Sequence, residues 1–304
     1  MKDPRWVQAM KEEMEALLKN KTWILVNLPK GQKTVGCKWV FSIKYKVDGT
    51  IERYKARLVA KGFTQTYGVD YQETFSPVAK LNTVRVLLSL AANLDWPLHQ
   101  FDVKNAFLHG DLEEDIYMDI SGYVANTEGN IVCKLQRTLY GLKQSPRAWF
   151  GRFSTAMKKY GFQQSNSDHT LFLKHRQGKL TALIVYVDDM IITGDDSEEI
   201  ARLQEQLALN FEIFEVLPGK GLMFSKNDHL RVEGYTDADW AGNIMDRKST
   251  SGYFTFVGGN LVTWRSKKQK VVALSSAEAE FRGMAKGLSI DISIIPFSMI
   301  GLST

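Results

Sequence analysis

The stretch Ile184-Val185-Tyr186-Val187-Asp188-Asp189-Met190-Ile191 places two adjacent acidic residues in the middle of an apolar run. The apolar segments on both sides predict two buried strands joined by a tight turn. Two like charges are costly to bury at such a turn unless a cation compensates them. Mg²⁺ prefers carboxylate oxygens, so the turn is a candidate metal site. The alternative is a plain hairpin turn without a ligand.

A third acidic residue, Asp102, ends another apolar stretch, which predicts a strand over residues 97–103. If this strand lies beside those that flank Asp188 and Asp189, the three carboxylates meet at neighbouring strand ends. Such a group could hold two metal ions about 4 Å apart, the arrangement that serves in-line phosphoryl transfer. The alternative is that Asp102 only caps its strand.

The composition is that of a globular protein of about two domains. The chain has 304 residues, of which 44% are hydrophobic and 24% charged, which excludes disordered and collagen-like classes. Cys37 and Cys133 have no disulfide-framework or zinc spacing, which favours a reducing compartment. Neither a membrane span nor a secretory signal is present in the pattern. We therefore expect an intracellular protein, cytoplasmic or nuclear, that is not secreted and has no membrane partner.

Basic residues are concentrated in two stretches. Residues 30–61 hold nine lysines and arginines against two acidic residues, and residues 247–277 hold six against none. Basic surfaces that flank acidic spots suit a polyanion that meets a metal site. The alternative is that both stretches are solvated faces without a ligand.

Hydrophobic periodicity predicts helices over residues 4–19, 82–94, 147–160 and 197–211, and one that begins near residue 275. Alternation over residues 37–45, a turn at Asp48-Gly49 and a return strand predict a basic hairpin whose lysines project from one face. Further strands are predicted over residues 230–236, 253–257, 261–264 and 271–274. We therefore expect an α+β fold.

Five segments of the chain resemble the reverse transcriptases of copia-type retrotransposons. In chain order they are Ala56–Gly62, Glu73–Val78, Phe101–Gly110, Leu139–Phe150 and Tyr186–Asp189. The first two are similar to the fingers segment of the family, and the other three to its successive catalytic motifs. The resemblance covers residues 1–214 and implies a right-hand polymerase fold with fingers and palm.

The resemblance implies RNA-directed DNA polymerisation, in which deoxynucleoside triphosphates are added to a DNA primer 3′-hydroxyl along an RNA template. Two Mg²⁺ ions, or Mn²⁺ as a substitute, would be held by the catalytic residues Asp102, Asp188 and Asp189. The implied nucleotide-binding candidates are Lys44, Lys55, Arg57 and Phe107, and the template–primer candidates are Tyr186, Gln144, Ser145 and Pro146. Which of the three cations binds the triphosphate stays open, and Phe107 could instead be a core residue.

Residues Gly234–Gly242 and Ser275–Phe281 resemble the opening strand and the first helix of the ribonuclease H domain in the same elements. The resemblance implies an RNA–DNA hybrid as a partner. It also implies that Asp237 and Glu280 bind metal, with Glu278 as the alternative to Glu280.

Two departures from the family pattern shape the domain prediction. Only 48 positions separate Asp189 from Asp237, so we expect that a large internal deletion removed most of the thumb and connection. After Glu280 the only acidic residue is Asp291, so we expect little ribonuclease H activity. The predicted domains are reverse transcriptase fingers and palm over residues 1–216, a truncated ribonuclease H-like α/β domain over residues 217–288, and a tail unlike the family over residues 289–304.

Two alternatives to an active polymerase remain open. The chain could be a non-catalytic remnant that binds nucleic acid without sequence preference and with steep salt dependence. It could also be an unfolded product whose exposed apolar surface aggregates. The sequence gives no expectation for the oligomeric state.

Overall fold

The chain is a mixed α+β protein, as its sequence predicts. A computed structural model describes residues 3–46, 48–119, 131–216 and 223–294, and this part contains five α-helices and fourteen strands. The helices are α1 (Pro4–Lys19), α2 (Leu81–Asn93), α3 (Ser145–Lys159), α4 (Ser197–Asn210) and α5 (Ser276–Ile294). The strands are β1 (Trp23–Asn27), β2 (Thr34–Tyr45), β3 (Ile51–Ala60), β4 (Leu98–Val103), β5 (Tyr117–Asp119), β6 (Ile131–Leu135), β7 (Gln163–Gln164), β8 (Leu171–Arg176), β9 (Lys179–Tyr186), β10 (Asp189–Gly194), β11 (Ile213–Glu215), β12 (Val232–Ala238), β13 (Thr250–Val257) and β14 (Asn260–Lys268).

The chain forms two compact units that alternate along the sequence. Unit 1 comprises Met1–Pro77 and Lys104–Ala156, and unit 2 comprises Val78–Val103 and Met157–Thr304. Residues 217–222, where the sequence predicts a domain boundary, and residues 295–304 of the predicted tail lie outside the described residues. The predicted domain limits therefore stay predictions.

Unit 1 is built on a five-stranded sheet in the order β1-β6-β5-β2-β3, and α1 packs against the edge strand β3. The helix begins after Asp3, whose carboxylate accepts a hydrogen bond from the Arg5 amide (2.9 Å), and Pro4 occupies the first helical position. A helix start leaves its first amide groups without partners inside the helix. The Asp3 carboxylate satisfies one of them, and a proline at the first position has no amide hydrogen to satisfy. The predicted helix over residues 4–19 is confirmed.

A buried acidic residue, Glu13, lies on the face of α1 that packs against β3. Glu13 is 8% exposed, and its carboxylate accepts a hydrogen bond from the Leu58 amide of β3 (3.2 Å). Burial raises the pKa of Glu13, and the Leu58 amide and nearby basic side chains oppose that rise. The contact satisfies an amide at the sheet edge. Leu18, which periodicity groups with the buried residues, is 62% exposed instead.

Unit 2 contains a six-stranded antiparallel sheet in the order β11-β4-β10-β9-β8-β7. Six consecutive residues of β9, from Leu180 to Val185, are buried, so both faces of this strand are covered. On one face, α2 contributes Val86, Leu87 and Leu90 to a common core with strands β8 and β9. The prediction of buried strands on both sides of the acidic turn is confirmed for β9.

A three-stranded sheet in the order β12-β13-β14 also belongs to unit 2, with α5 on one of its faces. The helix approaches closely at Gly287, where an added Cβ would lie 2.8 Å from Thr236 Cγ2. The sheet also meets α2: the Ser89 hydroxyl donates to the Val257 carbonyl oxygen (2.5 Å), and Asn93 Nδ2 donates to the Gly258 carbonyl oxygen (3.1 Å).

The structure differs from the sequence prediction in its short strands. Four strands of two to five residues were not predicted, namely β5, β6, β7 and β11. The predicted strand over residues 271–274 is wrong: this segment pairs with no strand and leads into α5. Short strands carry little periodicity of their own, because partner strands elsewhere in the chain decide whether they form. Among the described helices, none is long and apolar enough to cross a membrane.

Candidate active site

Strands β4, β9 and β10 bring the three predicted carboxylates to one edge of the six-stranded sheet. Tyr186 pairs with Asp189 across the β9–β10 hairpin, and Asp189 pairs with Asp102 on β4. The Val103 amide donates to the Asp188 carbonyl oxygen (2.8 Å), which fixes the turn against the end of β4. Opposed residues of an antiparallel pair have Cβ atoms about 4.5–5.5 Å apart. The strand that ends at Asp102 is thus the neighbour that the three-carboxylate hypothesis requires.

Strand alternation places the side chains of Asp102 and Asp189 on one face of the sheet, away from the core on the opposite face. Phe101, Met190 and Ile192 are buried on the other face, while Asp102 is partly exposed and Asp189 exposed. Neighbouring protein atoms partly remove the Asp189 carboxyl from water, which raises its pKa, as does the charge of Asp188, and a hydrogen bond with Gln100 opposes the rise. A cation at this edge would relieve the repulsion between the two adjacent carboxylates.

The turn between the two acidic strands has a strained backbone. Val187 has φ of +58°, a conformation that β-branched residues rarely adopt. Strain of this kind costs about 1–3 kcal/mol and persists only where surrounding contacts impose it. Here the Tyr186–Asp189 pair and the hydrogen bond at Asp188 hold the turn.

A cavity of about 200 Å³ opens beside Asp189 on the acidic face of the sheet. Its walls come from the start of α2 and from strands β4, β9 and β10, and the lining residues are Ala79, Leu81, Val84, Gln100, Ile184, Tyr186, Asp189 and Ile191. Tyr186, a predicted template–primer residue, is 48% exposed and lines this cavity. Asp189 therefore lies at an accessible and mostly apolar concavity.

In unit 1, the β2–β3 hairpin carries the predicted triphosphate-binding cations on one face. Lys44 pairs with Arg53, and Lys55 and Arg57 follow on the same side of β3, because alternate residues of a strand share a face. Burial lowers the pKa of Lys55, and the charges of Arg57, Arg53 and Lys44 lower it further, since like charges disfavour protonation. The prediction that the hairpin's basic residues project from one face is confirmed.

Tyr140 links two of the predicted nucleotide-binding residues within unit 1. The Arg57 guanidinium lies over the Tyr140 ring (5.0 Å to the centroid), and the Phe107 ring meets Tyr140 edge-on (4.8 Å between centroids). Phe107 is only partly buried, so its ring is not a closed core residue. Tyr140 holds both side chains in place and was not singled out from the sequence.

The predicted template contacts of the second motif are mostly interior. Gln144 is 2% exposed; its amide accepts a hydrogen bond from Gln65 (3.0 Å) and donates to the Asp70 carbonyl oxygen (3.1 Å). The Ser145 hydroxyl is also buried and donates to the Leu139 carbonyl oxygen (2.6 Å). Pro146 is partly exposed. A template contact by Gln144 or Ser145 stays a prediction, and their geometry favours a positioning role.

Comparison with known proteins decides the family of this chain. Residues 20–223 match the family described as reverse transcriptase (RNA-dependent DNA polymerase). The chain belongs to this reverse transcriptase family. It is similar to Pol polyproteins of copia-type transposons, as the sequence motifs predict. The three candidate catalytic carboxylates and the four nucleotide-binding candidates, Lys44, Lys55, Arg57 and Phe107, all lie inside the matched segment.

The relatives of this reverse transcriptase are much longer proteins. The retrovirus-related Pol polyprotein from transposon RE1 of Arabidopsis thaliana is 32% identical over 400 positions, which cover 94% of this chain and 27% of the relative. The polyprotein from transposon TNT 1-94 of Nicotiana tabacum is 34% identical over 399 positions, which cover 90% of this chain and 30% of the relative. The chain thus spans less than a third of their length.

The carboxylate donor set suits the divalent metal ions that reverse transcriptases generally use. Carboxylates are the hard oxygen ligands that Mg²⁺ prefers, and Asp102, Asp188 and Asp189 supply them at one accessible edge. Among the residues that the structure describes, no three acidic, histidine or cysteine side chains already form a metal-binding group. The chemistry of the donors fits a metal, and the side chains would have to converge around it.

The two predicted ribonuclease H ligands lie on different sides of β12. Side chains of Thr236 and Ala238 face α5, because Cβ atoms added at Gly287 and Gly283 would lie within 4 Å of them. Alternation then directs Asp237 to the opposite face. Glu280 belongs to α5, so this placement argues against a shared ion, and the pair stays a prediction.

The alternative ligand Glu278 is engaged in the start of α5. Its carboxylate accepts hydrogen bonds from the Leu274 amide (2.7 Å) and from Arg282 Nη2 (2.7 Å). The Leu274 amide, followed by Arg282, holds the pKa of Glu278 below its usual value. Glu278 therefore acts as a helix-stabilising residue, which leaves Glu280 as the better candidate of the two.

Sequence reasoning missed two features at the polymerase carboxylates. Strand β11 pairs with β4 so that Phe214 lies opposite Asp102, and the Glu215 carboxylate is hydrogen-bonded to His99 Nδ1 (2.9 Å). Gln100 contacts Asp189 from the neighbouring strand. The alternation of Gln100 with Asp102 could have suggested its position, whereas β11 is too short to give a periodic signal.

Proposed function

We propose that this reverse transcriptase copies an RNA template into DNA by extending a primer with deoxynucleoside triphosphates. The observation that carries the proposal is the register of β4, β9 and β10, in which Asp102 lies opposite Asp189 beside the Asp188 turn. This arrangement falls inside the segment that matches the family. Strained backbone such as that at Val187 is concentrated at active sites, which supports the same proposal.

The residues take the following roles in this proposal. Asp102, Asp188 and Asp189 hold two divalent ions, Mg²⁺ or Mn²⁺, which when bound activate the primer 3′-hydroxyl and stabilise the leaving pyrophosphate. Arg57 and Lys55 of the hairpin face bind the triphosphate, with Lys44 at the edge of the same face. Among the three cations, the contact with Tyr140 favours Arg57. Phe107 packs under the deoxyribose and excludes a 2′-hydroxyl, and Tyr186 contacts the primer terminus.

We also infer that this copy has lost part of its thumb and connection. The alignment with the RE1 polyprotein is 400 positions long although this chain has 304 residues, so part of the relative has no counterpart here. The short separation of Asp189 from Asp237 supports the same inference. Since the thumb holds the primer–template duplex, we expect weak template binding rather than absent chemistry to limit the rate.

The third sheet is, on this proposal, part of a ribonuclease H-like domain with little nuclease activity. Its antiparallel order β12-β13-β14 followed by α5 matches what the motifs at Gly234–Gly242 and Ser275–Phe281 imply. The separation of Asp237 from Glu280 supports the loss of activity, because one isolated carboxylate binds a divalent ion weakly.

A nucleic-acid-binding remnant without turnover is the second candidate function. The basic face of the β2–β3 hairpin favours it, because clustered cations bind phosphates whether or not chemistry follows. Both candidates predict binding of a primed template, and only the first predicts extension.

Extension of a primed homopolymer RNA by the purified chain, with Mg²⁺ or Mn²⁺, tests the proposal. We expect extension by the wild type, loss of extension in Asp188→Asn, and full extension in the matched control Asp228→Asn, whose carboxylate is exposed and remote from the site. Salt-sensitive binding of the same duplex without extension by the wild type would contradict polymerisation and leave the binding remnant.

A further inference from the structure

Tyr140 joins two nucleotide-binding candidates of unit 1 that come from different segments of the chain. The Arg57 guanidinium lies over the Tyr140 ring, 5.0 Å from its centroid. The Phe107 ring meets it edge-on, with 4.8 Å between the centroids and 67° between the planes. The face of an aromatic ring attracts a cation, and edge-on contact is a favoured geometry for two rings. The three side chains therefore form one cluster, with Tyr140 in the middle.

The backbone around Tyr140 is fixed to the end of β3. The Ala60 amide donates to the Tyr140 carbonyl oxygen (2.7 Å), three residues beyond Arg57 on the same strand. Gly141 has φ of +93°, and an added Cβ would lie 2.2 Å from the Ala60 carbonyl oxygen. Glycine allows both this backbone conformation and this close approach. The sheet itself therefore sets the position of Tyr140 beside Arg57.

The turn that carries Phe107 is fixed to the same segment. The Thr138 hydroxyl donates to the Phe107 carbonyl oxygen, and the Thr138 amide donates to the Gly110 carbonyl oxygen (3.0 Å). Thr138 is fully buried, whereas Tyr140 is partly exposed. Residues 138–141 thus contact both the end of β3 and the turn at Phe107, and Tyr140 presents its ring between the two.

Arg57 has hydrogen-bonding capacity that the protein does not use. Its Nε atom is buried and has no acceptor among the residues that the structure describes. A buried donor without an acceptor is costly unless a ligand supplies one. The guanidinium presents a planar fork of donors that suits phosphate oxygens. Tyr140 therefore orients a cation whose donors suit an anionic ligand.

We propose that Tyr140 sets the choice between deoxyribonucleoside and ribonucleoside triphosphates, because it holds Phe107 and Arg57 at a fixed separation. This inference rests on the proposed polymerase function. A triphosphate bound by Arg57 fixes one end of the nucleotide, and the Phe107 ring then meets the sugar at a defined place. A 2′-hydroxyl would clash with a ring that its neighbour keeps from moving aside. Tyr140 acts through these neighbours, so it is a positioning residue.

Tyr54 offers a matched control within the same unit. The Arg5 guanidinium lies over its ring (4.7 Å to the centroid), and the Trp6 ring meets it edge-on (4.7 Å between centroids). Tyr54 and Arg57 are three residues apart on β3, so their side chains point to opposite faces of the sheet. Tyr54→Leu thus removes contacts of the same two kinds at a distance from the nucleotide-binding candidates.

The ratio of kcat/KM for dATP to that for ATP, on a primed poly(rU) template, tests the proposal. We expect Tyr140→Leu to lower this ratio about tenfold, because one aromatic and one cationic contact are lost together. Tyr140→Phe, which keeps the ring, should preserve the ratio. Tyr54→Leu should lower the midpoint of thermal unfolding and also preserve the ratio. An unchanged ratio in Tyr140→Leu, or an equal fall in Tyr140→Phe or Tyr54→Leu, would overturn the proposal.

Equilibrium binding of dATP separates this inference from the proposed function. A primer that ends in a 3′-deoxynucleotide allows binding to be measured with Mg²⁺ while extension is blocked. Tyr140→Leu should bind dATP about tenfold more weakly than the wild type and Tyr54→Leu. If the wild type follows this pattern but does not extend a normal primer, polymerisation is contradicted and the positioning of Arg57 by Tyr140 stands. Equal affinities in the two variants, or no binding by the wild type, would overturn the inference.

Discussion

The six-stranded and three-stranded sheets of unit 2 differ in how completely their faces are covered. In the first, six consecutive residues of β9 are buried. In the second, the paired residues Tyr235, Phe254 and Trp264 form an aromatic row across three strands, with exposed fractions between 41% and 51%. The first sheet encloses a core on both faces, whereas the second leaves this aromatic row half-exposed, although its Val257 and Val262 are buried in the core with α2.

The same contrast holds for the acidic residues of the two sheets. Adjacent antiparallel strands direct Asp102 and Asp189 to the same face, because directly opposed residues share one. In the three-stranded sheet, Asp237 is on a strand face and Glu280 on a helix across the other face. In the six-stranded sheet the carboxylates are thus on one face of neighbouring strands, whereas in the three-stranded sheet they belong to a strand and a helix. The predictions below test this difference, beginning with the largest effect.

Asparagine substitutions should separate the two acidic sites most strongly. We expect Asp102→Asn to reduce primer extension more than about 100-fold, since even residues that only support metal ligands contribute about 10–100-fold. Asp237→Asn should change extension by no more than about twofold, as exposed substitutions generally do. Steady-state extension rates measure both. Comparable losses in the two variants would mean that the three-stranded sheet takes part in polymerisation.

Leucine truncation should distinguish the two cores. Leu183 on β9 is fully buried, and Leu183→Ala should lower the free energy of unfolding by about 2–5 kcal/mol. Leu261 on β14 is 39% exposed, so Leu261→Ala should lower it by less than about 1 kcal/mol. The midpoints of urea unfolding measure the difference, provided that the dependence of the unfolding free energy on urea concentration is the same in both variants. Equal midpoint shifts would show that the three-stranded sheet is more completely packed than its exposure indicates.

Alanine at glycine positions should test how tightly each sheet is packed at its backbone. Gly194 ends β10 with φ of +143°, and an added Cβ would lie 2.1 Å from the Leu180 carbonyl oxygen. Gly194→Ala should therefore destabilise the chain by about 2 kcal/mol or more. At Gly252 on β13 the nearest atom would be 3.8 Å away, so Gly252→Ala should be nearly neutral. Thermal unfolding of both variants checks this, and a stable Gly194→Ala would refute it.

The smallest expected effect is the change in the free energy of unfolding when the buried carboxylate of Asp168 is replaced, compared with the exposed carboxylate of Asp246. Asp168 is 4% exposed and accepts hydrogen bonds from the Lys80 amide (2.9 Å) and the Thr170 amide (3.0 Å). Burial alone would raise the pKa of Asp168, but hydrogen bonds from Thr170, Lys80 and Thr83 outweigh it and lower the pKa. Asp168→Asn should cost about 1–3 kcal/mol at pH 7, because an amide cannot accept at both positions.

The pH dependence of this cost follows from the direction of the shift. A carboxyl with a lowered folded-state pKa contributes stability above its unfolded value, about 3.9, and loses it as pH falls towards the folded value. The difference between wild type and Asp168→Asn should therefore shrink below about pH 4. Asp246 in the three-stranded sheet region is exposed, and its hydrogen bond with Lys268 lowers its pKa in the same direction, so Asp246→Asn should show the same pH trend with a smaller cost than Asp168→Asn. A pH-independent cost at Asp168 would contradict the assignment.

The predicted elements of the fold were those with a strong local signal. Helices α1, α2 and α4 and strands β4, β9 and β10 follow from periodicity and apolar length, and they lie where the sequence predicts them. The strands that were missed depend on distant partners: β5 pairs with β2 and β6, and β11 with β4. The wrong strand over residues 271–274 had suitable residues, but this segment leads into α5 and does not pair with the edge strand β14.

The sequence by itself determined the family, the α+β class and the position of Asp188 and Asp189 at a turn beside the strand of Asp102. These follow from residue order, because motifs and strand periods are local properties of the chain. Only the tertiary structure decided that Gln144 is buried, that Tyr140 joins Arg57 to Phe107, and that Asp237 is on the face of β12 away from α5. Those facts depend on which faces and edges meet in the folded chain, and residues distant in sequence set them.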